Sequence, residues 1–131
     1  MNSTVQGLAE PKIDIIRRLQ QAIAKRNLNE FLSFFAADVE YHYHVGTRPL
    51  FGIEWVEKFI TKYWKNNSNA TWVIVHHAES GDSLFTEGRE EYINAAGQKV
   101  VHPYMGIIDF FDGKIIGWRD YFQMNDTNAG K

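Results

Sequence analysis

Apolar residues in the first half of the chain recur with a helical period. Ile13, Ile16, Leu19 and Ile23 are spaced by three and four residues and Pro11 suits a first helical turn, which predicts an amphipathic helix over 11–25. A second, shorter and more buried helix is expected over 28–36, carrying Phe31, Leu32, Phe34 and Phe35 and ending near Asp38. A third spans about 53–66, with Val56, Phe59, Ile60, Tyr63 and Trp64 toward the core. Between these last two, 39–45 reads as a short strand followed by a loop over 46–52. Beyond Asn69 the period falls to two. β-Branched and aromatic residues cut by Gly, Asn and Asp predict four consecutive strands, 70–79, 83–94, 99–111 and 114–124, with a frayed tail at 126–131. Helices followed by a run of antiparallel strands imply an α+β domain with the helices packed on one face of a curved sheet.

The turns allow the strands to be set in register. Asp112-Gly113 is a two-residue hairpin signal, which pairs Phe111 with Lys114, Ile107 with Trp118 and Met105 with Asp120. The Ala95-Ala96-Gly97 connection fits a three-residue loop that pairs Asn94 with Gln98, Glu91 with Val101 and Arg89 with Pro103. On that register one concave face carries Glu87, Arg89, Glu91 and Asp120 among Ile93, Met105, Ile107, Trp118 and Phe122. Asp120, in a row with Ile116, Trp118 and Phe122, is a charge in an apolar setting. Burial either raises its pKa or demands a partner, and both make it a candidate proton-transfer group. Neighbouring strands lie about 4.8 Å apart, so Arg89 reaches Asp120 on a diagonal. Its planar fork can donate to two carboxylates at once and keep one ionised while apolar walls push the other toward protonation. The same residues also fit plainer roles. Arg89 and Glu91 can be an ion pair on a solvated strand, Asp120 can be solvated at an edge beside Arg119, and a one-residue slip at the 95–97 turn would send Arg89 and Glu91 to the opposite face.

Composition narrows the chemistry. A chain of 131 residues, 44% hydrophobic and 15% aromatic, is expected to be a single domain, 1–131, able to bury a core without staples. With 14 Lys plus Arg against 16 Asp plus Glu and no basic cluster, nucleic acid is not an expected partner. The lack of cysteine removes disulfides, thiolate catalysis and Cys-based zinc sites. No apolar run is long enough to span a bilayer and the start has no apolar leader core, so no membrane partner and a cytoplasmic location are expected. His42, His44, His76, His77 and His102 show no HExxH or comparable spacing, and no metal is expected. No Gly-rich phosphate loop is present and no cofactor is expected, and without a GxSxG elbow the serines lack a nucleophile motif. Tyr41 and Tyr43 share one face of the first strand, where their hydroxyls can hold a water or a substrate oxygen, or simply pack.

The order of helices and strands, with Gly113-Lys114-Ile115-Ile116-Gly117-Trp118-Arg119-Asp120-Tyr121-Phe122 as the final strand and Thr86 to Glu91 as a second match, resembles the nuclear transport factor 2-like superfamily of cone-shaped α+β domains. Within it the chain is similar to the limonene-epoxide hydrolase and SnoaL-like branch. The likeness extends from about Ile13 to Phe122. It implies a cone-shaped, curved mixed or antiparallel sheet with three N-terminal helices packed on it and enclosing a pocket, a homodimer, and a cofactor-independent hydrolase of a small apolar epoxide, in which Asp120 with Tyr41 deprotonates a water, Glu91 protonates the opening oxygen and Arg89 bridges the two acids. The family has an aspartate where this chain has Glu91, and an asparagine where it has Tyr43. Tyr43, Ile93, Met105, Ile107, Trp118 and Phe122 are the expected substrate contacts. Two other functions are implied by the same superfamily: a cyclase or ketosteroid-isomerase-like enzyme in which Asp120 alone shuttles a proton beside a carbonyl, and a binding domain without chemistry.

Overall fold

The computed structural model describes residues 10–123, so Met124 and the tail expected to fray at 126–131 lie outside the described residues. Helices α1 (Lys12–Lys25) and α2 (Leu28–Ser33) are followed by β1 (Phe35–His42), β2 (Leu50–Phe51) and α3 (Ile53–Asn66). Four long strands complete the chain: β3 (Ser68–Ser80), β4 (Ser83–Ile93), β5 (Lys99–Phe111) and β6 (Lys114–Phe122). They form one six-stranded mixed sheet in the order β2-β1-β6-β5-β4-β3, curved and unclosed, with the helices packed on it. The α+β cone expected from the sequence is therefore the observed fold. β1 runs parallel to β6 and inserts beside it, which moves the final strand from an edge to the middle of the sheet. Among the described residues no helix is long and apolar enough to cross a membrane.

The helices form for the reasons their patterns give. α1 buries Ile15, Ile16, Leu19 and Ala22 along one stripe and ends at Arg26, whose φ of 55° turns the chain. The Arg26 guanidinium then donates to the carbonyls of Trp64 at 2.7 Å and Asn67 at 2.6 Å, tying the end of α1 to the end of α3. The Asn27 side chain caps α2 by accepting from the Glu30 amide at 3.1 Å. α3 buries Val56, Ile60 and Trp64, side chains worth roughly 1.5–3 kcal/mol each on removal from water. The second helix stops short of its expected end. Phe34, Phe35 and Ala36 leave the helix because the Phe34 carbonyl accepts from the Ile115 amide at 2.9 Å and Phe35 pairs with Ile115, so the sheet ladder replaces further helical bonds. Phe31 and Phe35 are buried either way, their rings 5.0 Å apart, so apolar content alone could not place the boundary. The strand expected at 39–45 accordingly begins earlier and ends at His42.

Strand register decides which residues face inward. The 95–97 turn behaves as expected, with Arg89 opposite Pro103 and Glu91 opposite Val101. The Asp112-Gly113 turn does too, with φ of 52° and 78° and Phe111 opposite Lys114. The departure comes three residues later. Phe110 pairs with Ile115 but Asp109 pairs with Gly117, leaving Ile116 as the extra residue of a β-bulge. Everything beyond moves by one: Ile108 faces Trp118 and Gly106 faces Asp120, where Ile107 and Met105 were expected. A shift of one residue exchanges the two faces. Tyr104, Gly106, Ile108 and Phe110 turn in, while Met105 at 55% exposure and Ile116 at 40% lie on the outer surface. The bulge also keeps Asp109 off the inner face. There its carboxylate accepts from Arg119 Nη1 at 2.8 Å and from the Ser83 hydroxyl at 2.6 Å.

Candidate active site

The concave face of the sheet and the helices over it enclose a cavity of about 230 Å³. Inward positions of β4, β5 and β6 supply Glu90, Tyr92, His102, Tyr104, Trp118, Asp120 and Phe122, and β1 with the turn after it supplies Tyr41, Tyr43 and His44. Phe59 and Tyr63 come from α3 and Trp72 from β3. The rings make a closed circuit of contacts. On the sheet side Tyr104 meets Trp72 at 6.3 Å between centroids, Trp72 meets Trp118 at 5.3 Å, and Trp118 meets Tyr41 at 5.6 Å. Under α3, Phe59 lies 5.6 Å from Tyr41 and 6.4 Å from Tyr63, which stands edge-on to Tyr92 at 5.5 Å. His102, 6.0 Å from both Tyr92 and Phe122, and the 5.6 Å contact between Tyr104 and Phe122 close the circuit. The Tyr104 hydroxyl receives the Trp72 indole N–H and sits 2.9 Å from the Thr86 hydroxyl, which fixes that part of the wall.

Asp120 is only 8% exposed. Oδ1 accepts from the Trp118 indole N–H at 2.9 Å, the one hydrogen bond to this carboxylate among the described residues. Burial pushes its pKa well above the usual carboxylate range; the Trp118 bond opposes that rise and the charge of Glu90 adds to it. Room for the carboxylate exists because position 106 is glycine. A Cβ there would lie 2.4 Å from Oδ1. Glu90 is the second acid of the cavity, its pKa raised by burial, a rise that the Tyr63 hydroxyl partly offsets. Burial likewise keeps Tyr41, Tyr63 and Tyr104 protonated, Tyr41 with added help from the charges of Asp120 and Glu90. These hydroxyls are therefore available as hydrogen-bond donors. Burial lowers the His102 pKa, assisted by His44, so this imidazole is held toward its neutral form. His102 Nε2 lies 3.4 Å from the Tyr92 hydroxyl, and the buried Nδ1 has no hydrogen-bond partner among the described residues.

Of the residues proposed from the sequence, the structure brings Asp120, Tyr41, Tyr43, Trp118 and Phe122 to the cavity wall. It does not bring Arg89, Glu91, Ile93, Met105 or Ile107 there. Since β4 and β5 hold their expected register, the bulge in β6 leaves Glu87, Arg89, Glu91 and Ile93 on the outward face. On that face Arg89 Nε donates to Glu91, Lys99 Nζ lies 3.7 Å from the same carboxylate, and the Arg89 bond holds Glu91 below its usual pKa. A lowered pKa is the reverse of what a proton donor needs. Among the described residues no Lys or Arg lines the cavity. Sequence reasoning missed Glu90, Tyr63, Trp72, Tyr92, His102 and Tyr104. A signal for most of them was present in the alternation Thr86, Gly88, Glu90, Tyr92 on β4 and His102, Tyr104, Gly106, Ile108 on β5, which contains a single acid and no basic side chain other than the imidazole.

Comparison with known proteins agrees with this architecture. The family model described as SnoaL-like domain matches residues 16–118. A protein with a ketosteroid isomerase-like fold from Catenulispora acidiphila, determined in complex with trimethylamine, superposes with a TM-score of 0.73 at 19% identity, covering 82% of this chain and 83% of that one. An LEH-like epoxide hydrolase from M. tuberculosis gives 0.72 at 20% identity over 82% and 78% of the two chains. An epoxide hydrolase/cyclase-like enzyme of pyran ring formation in the polyether salinomycin gives 0.78 at 15% identity over 86% and 91%. At these identities the solved structures establish the fold alone.

Proposed function

We propose that this chain, which belongs to the SnoaL-like domain family of the nuclear transport factor 2-like superfamily, is a cofactor-independent proton-transfer enzyme, isomerase- or cyclase-like, because its cavity holds a buried carboxylate and, among the described residues, no Lys or Arg lines that cavity. Its substrate is a small molecule with a carbonyl oxygen and a largely apolar body. The cavity is smaller than the roughly 300–1,000 Å³ typical of drug-sized ligands. In the proposed step the ionised form of Asp120 takes a proton from the carbon next to the carbonyl, giving the neutral acid and an enolate. Asp120 then returns the proton to a different carbon, or exchanges it with water. The buried Tyr41 hydroxyl donates to the oxygen on which charge develops. The elevation of the Asp120 pKa by burial brings a carboxyl group toward the operating range of a general base.

The observation that carries this reading is the position of Asp120, buried in an aromatic enclosure with one N–H donor to its carboxylate among the described residues. Hydrolysis of an epoxide through an Arg-bridged acid pair draws no support from the geometry, because Arg89 and Glu91 lie outside. An epoxide reading with a different acid is favoured by one feature, Glu90 in the same cavity. A single panel separates the two. Small cyclic ketones incubated in heavy water should gain deuterium beside the carbonyl with the wild type and not with Asp120→Asn, followed by proton NMR. Small cyclic epoxides should give no diol. Exchange that is absent, or equal in Asp120→Asn, would overturn the proton-transfer reading; diol formation lost in Glu90→Gln would establish the hydrolytic one instead. Neither activity, with ligand still held, would make the chain a binding domain.

A further inference from the structure

Glu90 is boxed by rings on every side that the sheet and helix provide. On β3 its cross-strand partner is Trp72, on β5 it is His102, and two residues along its own strand is Tyr92. Directly opposed side chains in a sheet have Cβ atoms about 5 Å apart, so the indole and the imidazole flank the carboxylate closely. From above, α3 adds Tyr63, whose hydroxyl opposes the rise in the Glu90 pKa and whose ring stands edge-on to Tyr92. The other acid lining the cavity is Asp120, and among the described residues no Lys or Arg lines it to neutralise either carboxylate. His102 does not serve, since its burial favours the uncharged ring.

We infer that the Glu90 box is a recognition subsite for an alkylated ammonium group, tertiary or quaternary, carried by the molecule that occupies the cavity. Three alternatives fit less well. An anionic ligand would meet two carboxylates in a desolvated site. A neutral apolar ligand would cover Glu90 while offering it nothing in place of water. A hard metal ion would want several oxygen ligands, and among the described residues no group of three His, Asp or Glu is placed to hold one. A substituted ammonium matches both components at once. Its charge faces the carboxylate, and its alkyl groups, which carry the positive potential, pack on ring faces that attract cations. The remaining cavity, toward Tyr41 and Asp120, is left for the part of the molecule that reacts. The inference rests on the proposed use of this cavity as the substrate site, but not on proton transfer.

The test compares a cation with its neutral isostere. Choline and 3,3-dimethyl-1-butanol have the same shape and differ in the charge at the branched centre. Titrated calorimetrically into the full chain, choline should bind about tenfold more tightly than the alcohol, the scale of a partly desolvated cation–π and ion-pair contact. Glu90→Gln should cut choline binding by about tenfold and leave the alcohol unchanged. Equal or tighter binding of the neutral probe overturns the proposal, and should Glu90→Gln fail to fold, the wild-type comparison alone decides. The two readings fail separately. Deuterium exchange on neutral ketones together with equal binding of the two probes overturns the ammonium subsite and keeps proton transfer; tight choline binding with no exchange on any ketone does the reverse.

Discussion

Gly106→Ala tests the placement of Asp120 at one atom. The added Cβ would lie 2.4 Å from Asp120 Oδ1, against the 3.4 Å at which ordinary contact begins, so about 1 Å must be found. The methyl cannot supply it by sliding away, because Arg119 O at 3.2 Å and Tyr104 Cε2 at 3.3 Å already bound it on other sides. The carboxylate therefore moves. A displacement of that size breaks or severely lengthens the 2.9 Å bond from Trp118 Nε1. Overpacking of this kind costs about 1–3 kcal/mol, and a domain of this length loses roughly 3–5 °C of melting temperature per kcal/mol. The catalytic cost is larger in proportion, since a 1 Å misplacement of a reacting group is worth on the order of 10²-fold in rate. Gly106→Ala should thus remain folded with a melting temperature lowered by about 3–15 °C, while its deuterium-exchange rate falls about 100-fold. Gly88→Ala is the contrast. There the Cβ would meet the Val73 carbonyl oxygen at 1.8 Å, a backbone atom that cannot turn aside, so the loss should fall on folding itself. A folded Gly106→Ala protein with wild-type rate would show that Asp120 is not the reacting group, or not held where the structure has it.

Other outcomes follow from the same placement. Arg89→Ala and Glu91→Gln, on the outward face, should leave kcat/KM unchanged; a loss approaching that of Asp120→Asn would implicate the wrong side of the sheet and refute the register. Tyr41→Phe should lower kcat by about 10²–10³-fold with a smaller change in KM, as removal of one donor to a developing oxyanion does; an unchanged kcat would remove Tyr41 from the mechanism. Asp120 and Glu90 both have folded pKa values raised above those of the unfolded chain, so the folded state binds more protons and stability is lost as pH rises through the raised values. Thermal melts from about pH 4 to about pH 8 should therefore show Asp120→Asn gaining on the wild type as pH increases, and parallel curves would contradict the burial of this charge. The wild-type rate should climb over the same rise, because the base is the ionised form.

How much of this was legible in the sequence depends on what kind of information each element required. Three helices, the four long strands and both hairpin turns followed from periodicity and turn chemistry, since those are local properties. The insertion of β1 beside β6 was not local. It is a parallel pairing between segments some eighty residues apart, and nothing in the pattern of Phe35 to His42 names its partner. The site divides in the same way. Asp120 was found because a charge alternating with Trp118 and Phe122 is anomalous within its own strand. Glu90 was missed and Glu91 chosen because the two are adjacent acids, and only the register of β5 against β6 says which of them turns inward. Sequence did hold a hint. The face chosen for the cavity placed Asp109 beside Ile107 and Met105, whereas the opposite face of β5 has no ionisable acid and ends in Ile108 and Phe110. Gly117 inside a strand is itself a usual mark of a bulge.

That bulge offers a direct check of the whole assignment, through deletion of Ile116. The Asp112-Gly113 turn fixes Phe110 opposite Ile115, so with Ile116 present Trp118 reaches Ile108 only because one residue is looped out. Deleting that residue gives a regular hairpin and keeps Trp118 opposite Ile108 and Asp120 opposite Gly106. The side chain removed is 40% exposed, so little core is lost. The strain falls instead on the other neighbour, β1, whose register against β6 already shifts between Phe35 and Glu40 and would have to absorb one residue more. The deletion variant should accordingly melt lower yet exchange deuterium at a rate near that of the wild type. In a hairpin without the bulge, the same deletion would turn Trp118 and Asp120 to the opposite face and abolish exchange. A folded but inactive deletion variant would mean that Met105, not Gly106, faces Asp120, and that Glu91 rather than Glu90 is the second acid.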